Sequence, residues 1–494
     1  MKNILMILSD EQRFDTLGCY GNPIISTPNI DGFAARGMRF TNCNITYPLC
    51  CPSRTSLFTG LRPDQHGVME NWRPVIPAQA GGRLVRQFTA QGYTSAYIGK
   101  WHIPGTTPAK MGFDLWDAIP SVVNGKDRGR TIPEYRDYLR DKGYSVDDIN
   151  LENLTAEETH QLEIPGKAPV VTSRYKKEDY LEFWLLERWK RQMDALSGPF
   201  FSVCSYIAPH FPMVLPEPYD KLYSPEDVIL PGNFRTGLDG KPDILFEKHY
   251  YLEPLTLCEY EWRRMIAFYW GFCAMVDDIV GEMVTYLKKR GLYDDTVICF
   301  TTDHGDMMGS HGLWEKGHPM LYEETNRIPL VVKVPGFEKE VVSDGLMSVT
   351  DILPTLAELA GCQFDTSGLD IRSFADSTVS REYHIAEAFE LGGGYRKTNR
   401  PGGIPITASD LTNENDLAAI SIKTERYKYI FHNRDKDELY DLLADPLENV
   451  NLANDTAMAE TYLKLQAALL DTITDNPAFH KFVKDAIKCK SNLT

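Results

Sequence analysis

The chain has 494 residues, a length that allows a large core and two domains. Its apolar fraction of 43% and charged fraction of 24% are typical of a globular protein with an ordinary surface. The net charge of −17 argues against a nucleic-acid partner, because phosphate backbones are bound by clustered lysine and arginine. The same charge is compatible with a small anion held in a local basic pocket.

No run reaches the roughly 18 apolar residues that a membrane helix needs, so no membrane partner is expected. The apolar stretch Ile4–Leu8 is too short for a signal peptide, and no small-residue cleavage site follows it. The sequence as it stands therefore predicts a cytoplasmic protein, and a periplasmic or secreted one if a signal was removed. Ten cysteines scattered over so long a chain do not indicate a disulfide scaffold.

Short apolar runs alternate with helical patterns over most of the chain. The first predicted strand, Ile4–Leu8, ends in Ser9, Asp10 and Glu11. A helix is then predicted to start at Thr27-Pro28-Asn29, to run through Phe33 and Ala34 and to stop at Gly37. Further predicted strands are Thr94–Ile98, Phe200–Ile207, Thr296–Thr301 and Ile328–Val334, and further predicted helices are Tyr260–Arg290 and Asp351–Ala360. This alternation predicts an α/β fold with a large, mostly parallel central sheet flanked by helices. Polar residues gather after the strands, where such sheets bind ligands.

The pattern changes after about residue 370, where hairpin-like strands become frequent. Strands are predicted at Ser380–Phe389, Ala418–Thr424 and Tyr427–Phe431, and a final helix is predicted at Thr456–Ile473. We therefore expect a large domain over residues 1–370 and a smaller C-terminal α+β domain over residues 371–494. The glycine-rich stretch between residues 392 and 403 predicts a mobile loop.

The segment from Cys50 to Gly60, Cys-Cys-Pro-Ser-Arg-Thr-Ser-Leu-Phe-Thr-Gly, is the most informative in the chain. Pro52 suits the first turn of a helix and Gly60 suits its end. Cys50 therefore lies at or just before a helix N-terminus, where free amides and the helix dipole favour negative charge. Arg54 lies four residues further on and can point back toward Cys50. A nucleophile, an anion-binding helix end and a fixed cation thus fall within one turn.

This segment resembles the signature of the type I sulfatase family, in which Cys-x-Pro-Ser-Arg is followed by Thr-Gly. The resemblance implies an alkaline phosphatase-like fold, hydrolysis of sulfate esters, and oxidation of Cys50 to formylglycine by a formylglycine-generating enzyme. Pro52 identifies Cys50, and not Cys51, as the modified residue. One hydroxyl of the hydrated aldehyde attacks sulfur and displaces the alcohol, and loss of the second hydroxyl's proton then releases sulfate. The family often has arginine directly after Thr-Gly, whereas here Leu61 precedes Arg62.

Two predicted strand ends carry potential metal ligands, Asp10-Glu11 and Asp303-His304. Hard oxygen ligands suit Ca²⁺, with Mg²⁺ as the alternative, and such an ion polarises a sulfate oxygen. The family typically has Asp-Asp and Asp-Asn at these positions, so the resemblance carries over most directly to Asp10 and Asp303. Glu11, which is longer than aspartate, would bind the ion in another way or would contact the ligands and not the ion. His304 would bind through a ring nitrogen, as in related phosphonate hydrolases, and Cys50 as formylglycine completes the expected set.

A second family motif, Gly-Lys-Trp-His, occupies residues 99–102 after the predicted strand Thr94–Ile98. The resemblance implies that Lys100 binds the sulfate and the developing charge on the nucleophile. It also implies that His102 takes the proton from the second hydroxyl as a general base, a task suited to a side chain whose pKa is near neutrality.

Two further basic residues match the family in type and order. His210 follows the predicted strand Phe200–Ile207 and corresponds to the histidine that contacts the ester oxygen. Lys316 lies in Leu-Trp-Glu-Lys-Gly-His and corresponds to the second lysine, so the pair would stabilise or protonate the leaving oxygen. Arg54 would pair with the formylglycine hydroxyl and the metal-binding carboxylates.

Alternative functions remain at this stage. A phosphonate monoester or phosphodiester hydrolase of the same superfamily is the main rival, because such enzymes also use formylglycine and an Asp-His pair. The motif with Lys100 and His102 favours a monoanionic sulfate ester instead. A non-catalytic binding relative is the third interpretation, and the complete set of catalytic residues speaks against it.

The expected substrate is a sulfated mono- or oligosaccharide, with a small aryl or alkyl sulfate as the alternative. Aromatic and basic residues at the pocket mouth would bind the sugar, and the candidates are Trp72, Arg73, Tyr395 and Arg396. His311 and His318 are expected only to support the site or to line its rim.

Overall fold

The computed structural model describes residues 1–71, 81–119, 132–146, 155–247, 256–390 and 417–491. Its α-helices are α1 Pro28–Ala34, α2 Cys50–Thr59, α3 Pro63–His66, α4 Arg83–Ala90, α5 Pro133–Asp141, α6 Ala156–Leu162, α7 Leu181–Asp194, α8 Ile244–Glu247, α9 Glu259–Lys289, α10 Glu323–Asn326, α11 Ile352–Leu359, α12 Ala459–Thr472 and α13 Pro477–Ser491. Its strands are β1 Asn3–Ser9, β2 Gly37–Asn44, β3 Thr94–Lys100, β4 Leu115–Ile119, β5 Val170–Thr172, β6 Phe200–Ser205, β7 Met213–Leu215, β8 Thr296–Thr302, β9 Arg327–Lys333, β10 Val341–Ser343, β11 Met347–Ser348, β12 His384–Glu390, β13 Leu417–Lys423, β14 Tyr427–His432 and β15 Glu438–Asp441.

The largest sheet has the strand order β10-β2-β9-β8-β1-β6-β3-β4, and β11 also pairs with β2. Strands β8, β1, β6, β3 and β4 are parallel to one another. Strand β9 alone runs against both of its neighbours. The sheet is thus mostly parallel, as the sequence predicts.

Strand β1 lies in the middle of this sheet and is buried on both faces. Leu5 and Ile7 pack into an apolar cluster with α1, α7 and α9. Ile4, Met6 and Leu8 pack on the opposite face with α2, α4 and α11. Each buried side chain of this size contributes roughly 2 kcal/mol. Two-sided burial explains why β1 is a continuous apolar run and not an alternating one.

The long helix α9 also holds α1 in place. Asp277 on α9 accepts hydrogen bonds from the backbone N–H of Asn29 at 3.2 Å and of Ile30 at 2.8 Å. These are amides of the first turn of α1, which have no partner within that helix. Burial raises the pKa of Asp277 to about 6, although the hydrogen bonds it accepts from Ile30 and Asn29 act against this shift.

A second, antiparallel sheet with the order β12-β13-β14-β15 forms the smaller C-terminal part, on which α12 and α13 pack. A buried ionic network joins it to the larger part. Lys423 and Lys428 lie 2.8 Å and 2.9 Å from Glu323 of α10, and Lys428 lies 2.8 Å from Glu448. Burial opposes the charge of Glu323, but the two lysines outweigh it and hold its pKa well below the ordinary value.

The sequence analysis was wrong about the end of the chain. The helix predicted at Thr456–Ile473 is present as α12, but it is not the final one, because α13 follows. Only Phe479 and Val483 of α13 are deeply buried, so its apolar stripe is too narrow to predict. The glycine-rich loop predicted between residues 392 and 403 lies outside the described residues, and the domain boundary at residue 370 stays a prediction. Among the helices described, none is both long and apolar enough to cross a bilayer.

Candidate active site

Four neighbouring strands of the large sheet, β8, β1, β6 and β3, end at the same edge. Asp303 and Asp10 directly follow β8 and β1, while Ser205 and Lys100 are the last residues of β6 and β3. Because these strands are parallel, their carboxyl ends form the edge at which α/β sheets bind ligands. All four side chains are buried or nearly so.

Cys50 is the first residue of α2, which ends at Gly60 with a left-handed φ of 72°. Every residue of α2 is buried, so the start of the helix is fixed against the strand ends. The Cys50 Sγ lies 3.1 Å from His304 Nε2, 3.7 Å from Asp10 Oδ1 and 3.8 Å from Lys100 Nζ. The predicted nucleophile and the predicted ligands therefore meet at one point.

Arg54 joins the four strand ends. Its side chain has no exposed surface. Its Nη2 donates to Asp10 Oδ2 at 2.7 Å and its Nε donates to Asp303 Oδ2 at 2.6 Å. Its Nη1 donates to the Lys100 carbonyl at 2.9 Å and to Ser205 Oγ at 2.8 Å. Arg54 thus binds the Oδ2 atoms of both aspartates, and their Oδ1 atoms face Cys50 and the Glu11 N–H instead.

Four side chains form a group that fits a divalent ion. The ligand atoms of Asp10, Cys50, Asp303 and His304 lie within 4.8 Å of one another. His304 Nδ1 lies 2.9 Å from the Gly305 carbonyl, which orients the ring so that Nε2 faces Cys50 Sγ and the other potential ligand atoms. The two buried carboxylates suit a hard divalent cation, whereas an imidazole nitrogen is more typical of transition metals, so this set of ligands does not by itself identify the ion.

Glu11 belongs to a different group. Its Oε2 lies 2.6 Å from Lys316 Nζ and 3.3 Å from His210 Nε2, and those two nitrogens are 3.2 Å apart. Among the described residues it groups as a potential ligand only with Asp10 and His210. The structure therefore places the predicted leaving-group residues side by side, with Glu11 between them and the first strand.

Asp10 and Cys50 are neighbours in the site, but their pKa values are shifted in opposite directions. Burial opposes the charge of Asp10, but Lys100, His210 and Arg54 outweigh it and hold its pKa well below the ordinary value. Burial and the adjacent Asp10 raise the pKa of the Cys50 thiol to about 11. An unmodified thiol here is protonated at neutral pH and is a poor nucleophile, because the thiolate is the reactive form.

Gly99 allows β3 to lie close to β6 just before Lys100, the lysine that reaches the site. It has a φ of 91°, and an added Cβ would lie 1.9 Å from the Ser205 carbonyl oxygen of β6. Only glycine fits at this point. Lys100 Nζ then lies 2.5 Å from Asp10 Oδ2. His102 follows two residues later, half-buried and with a φ of 49°.

Two supporting residues were missed by the sequence analysis. Ser53 Oγ donates to the Asp303 carbonyl at 2.6 Å, so the signature helix also fixes the second ligand pair. Arg13 Nη1 donates to the Asp306 carbonyl at 3.1 Å and to Ser310 Oγ at 3.2 Å, which holds the loop after β8. Ser53 lies within the signature, but nothing in the sequence around Arg13 signals its role.

The remaining candidates have varied positions. His311 is buried, and its ring Nε2 lies 3.1 Å from Asn233 Nδ2. His318 lies 3.7 Å from the Glu390 carboxylate. The four residues proposed for the pocket mouth, Trp72, Arg73, Tyr395 and Arg396, lie outside the described residues.

Comparisons with known proteins identify relatives of the chain. The chain is 30% identical to the multifunctional alkaline phosphatase superfamily protein PehA of Trinickia caryophylli, over 93% of this chain and 92% of that protein. It is 24% identical to the N-acetylglucosamine-6-O-sulfatase of Bacteroides thetaiotaomicron, over 95% of this chain and 86% of that protein. The solved phosphonate monoester hydrolase of Agrobacterium radiobacter shares the fold, with a TM-score of 0.77, 24% identity and 96% of both chains covered.

The family model described as Sulfatase matches residues 2–362 and therefore includes every candidate residue from Asp10 to Lys316. With a match over most of its length, and with the signature cysteine at the converging strand ends, this chain belongs to the sulfatase family of hydrolases.

Proposed function

We propose that the protein hydrolyses sulfate esters, with Cys50 oxidised to formylglycine as the nucleophile and a divalent metal ion beside it. The observation that carries this proposal is the convergence of Cys50 with Asp10, Asp303 and His304 within 4.8 Å. The Cys50 Sγ stands here for the hydroxyl oxygens of the hydrated aldehyde. Modification by a formylglycine-generating enzyme replaces a protonated thiol by a group that can form and release a sulfate ester.

Asp10, Asp303 and His304 would hold Ca²⁺, or Mg²⁺ in its place. When bound, the ion polarises a sulfate oxygen and lowers the pKa of the attacking hydroxyl. Arg54 holds the two aspartates at fixed positions through their Oδ2 atoms, so the ligand atoms are preorganised. The contacts with Arg54 support this proposal, because they engage one oxygen of each carboxylate and the other oxygen would face the ion.

Lys100 and the N-terminus of α2 would bind the transferred group. Lys100 Nζ lies 3.8 Å from the Cys50 Sγ, within reach of a sulfate oxygen next to residue 50. The positive end of the α2 helix dipole also lies at residue 50 and favours an anion there. We assign to His102 the removal of the proton from the second hydroxyl, which releases sulfate.

His210 and Lys316 would act on the alcohol. As the S–O bond breaks, its electron pair passes to the ester oxygen, and one of these two side chains stabilises or protonates that oxygen. Their nitrogens lie 3.2 Å apart, which is close enough for both to reach a single oxygen atom.

A sulfated mono- or oligosaccharide is the proposed substrate. A relative of the chain is named for a sulfated amino sugar, and the net charge of −17 disfavours a long polyanion lying across the whole surface. The test is turnover of a panel of defined sulfated mono- and disaccharides by the mature protein, with the same chain carrying Cys50→Ala as the control. Release of sulfate by both proteins would exclude residue 50 from the reaction.

A phosphonate monoester or phosphodiester hydrolase is the second candidate. The Asp303-His304 pair favours it, and so does the fold shared with the solved phosphonate monoester hydrolase. Comparing kcat/KM for 4-nitrophenyl sulfate and 4-nitrophenyl phenylphosphonate decides between the two. A preference for the phosphonate by about a hundredfold, or about 2.7 kcal/mol of barrier, would replace the sulfatase proposal.

A further inference from the structure

Glu11 forms a buried ion pair beside the group of four potential ligands, which it adjoins through Asp10. Its Oε2 lies 2.6 Å from Lys316 Nζ, and the two side chains are only 2% and 6% exposed. The same oxygen lies 3.3 Å from His210 Nε2. A buried charge requires a close partner of opposite sign, and here the partner of Glu11 is a lysine.

The backbone imposes this direction on Glu11. Its φ of 63° is left-handed, which is uncommon for a residue other than glycine. Its N–H donates to Asp303 Oδ1 at 3.2 Å, and its carbonyl accepts from the Tyr269 hydroxyl at 2.6 Å. With the peptide groups on both sides fixed, the side chain is aimed at Lys316 and not toward Cys50.

We propose that Glu11 is a positioning residue for the leaving-group pair Lys316 and His210, and not a ligand of the metal ion. This inference rests on the proposed function, because it names the residue that organises the same site. A divalent ion bound to Oε2 would lie beside the Lys316 ammonium, and the two positive charges would repel. The other oxygen, Oε1, is buried and is not paired with Lys316, so the calcium titration below decides whether Glu11 reaches the ion. Asp10, Asp303 and His304, together with residue 50, would hold the ion without it.

This role of Glu11 would affect how readily the alcohol leaves. When the S–O bond breaks, the electron pair passes to the ester oxygen, which receives a proton from His210 or Lys316. Glu11 keeps both nitrogens at fixed positions and stabilises their charge before the transfer. An alcohol whose anion is already stable leaves without much protonation by His210 or Lys316. An alcohol whose anion is poorly stabilised depends on that protonation. Loss of Glu11 therefore slows poor leaving groups more than good ones.

The variants that test this are Glu11→Gln, which removes the charge, and Glu11→Asp, which shortens the side chain. Calcium binding to the mature, EDTA-stripped proteins is measured by titration calorimetry, with Asp303→Asn as the control. Both Glu11 variants are expected to bind calcium within about threefold of the wild type, and Asp303→Asn at least about tenfold more weakly. Weakening by about tenfold or more in Glu11→Gln would make Glu11 a ligand and overturn the proposal.

The second readout is the dependence on the leaving group, taken from kcat for 4-nitrophenyl sulfate and for phenyl sulfate. Both Glu11 variants are expected to lose at least about tenfold more kcat on phenyl sulfate than on 4-nitrophenyl sulfate. Adding Lys316→Ala to Glu11→Gln should cost little more, since the two residues act as one unit. Equal losses on both esters, or wild-type rates in Glu11→Asp, would refute the role.

Failure of the sulfatase proposal is distinguishable from failure of this one. The calcium measurement does not depend on turnover. If the wild type cleaves aryl phosphonates and not aryl sulfates, the same comparison is made with the 4-nitrophenyl and phenyl esters of phenylphosphonate, since the leaving oxygen is the same.

Discussion

Replacing Arg54 by methionine tests whether its guanidinium stabilises the two buried aspartates, Asp10 and Asp303. The substitution keeps a long, flexible side chain in α2 but removes both ion pairs, to Asp10 at 2.7 Å and to Asp303 at 2.6 Å. Two buried carboxylates then lie close together without their shared cation. The Lys100 carbonyl and Ser205 Oγ each lose a donor as well.

The expected cost follows from these contacts. Removing one partner of a buried ion pair destabilises a protein by 3–5 kcal/mol, so we expect about 4 kcal/mol in the absence of metal. Unfolding entropy is about 2.1 cal/(mol K) per residue, which gives about 1 kcal/(mol K) for 494 residues. The melting temperature of Arg54→Met should therefore fall by about 4 °C in EDTA. Calcium neutralises the two aspartates, so its addition should reduce the loss by about half or more.

Differential scanning calorimetry in EDTA and in calcium measures both effects. Arg83→Met is the matched control, since Arg83 pairs with Asp365 at 3.0 Å on an exposed surface. That pair is worth less than about 1 kcal/mol, so its loss should shift the melting temperature by under about 1 °C. If Arg54→Met behaves like this control in EDTA, the two aspartates do not depend on Arg54 for their charge. An equal loss with and without calcium would show that the ion does not bind to them.

Three further changes have defined outcomes. Cys50→Ala should abolish turnover and leave the far-ultraviolet circular dichroism unchanged, and retained activity would remove residue 50 from the reaction. Gly99→Ala should destabilise the protein well beyond Gly92→Ala. Both glycines have positive φ, but only at residue 99 would an added Cβ meet the Ser205 carbonyl, at 1.9 Å. Equal melting temperatures of the two variants would contradict the clash. Asp277 has a folded pKa of about 6, above its unfolded value of 3.8, so the wild type should lose about 3 kcal/mol relative to Asp277→Asn as the pH rises from about 3 to about 7. A difference in melting temperature that is independent of pH would refute this.

Much of the fold could be predicted because its strands are short apolar runs with polar ends. Ile4–Leu8 and Thr296–Thr301 lie within observed strands, since both are buried on two faces and need no alternation. The direction of β9 could not be predicted, because strand polarity depends on the path of the chain and not on the local pattern. The helix α13 was missed for a different reason, since its surface is mostly polar.

The site could be predicted in its residues but not in its contacts. The signature around Cys50 and the strand ends at Asp10 and Asp303 point to the correct edge of the sheet. The sequence does not show whether Glu11 faces the ion or Lys316, because that depends on a left-handed φ fixed by hydrogen bonds to distant residues. One methylene separates glutamate from the usual aspartate, and the backbone decides what it contacts.

The hydrogen bonds of Arg54 also depend on the order of the strands in the large sheet. Its hydrogen-bond partners belong to the ends of β1, β3, β6 and β8, which are not consecutive in the chain. A guanidinium is planar and offers five donors from one small group, so it reaches all four ends only if these strands are neighbours in parallel. Any order that separated β8 from β1 would leave Asp303 without its cation in the interior. The helix N-terminus that presents Cys50 and the topology that gathers the ligands are therefore coupled through one side chain, and a change to either disturbs both.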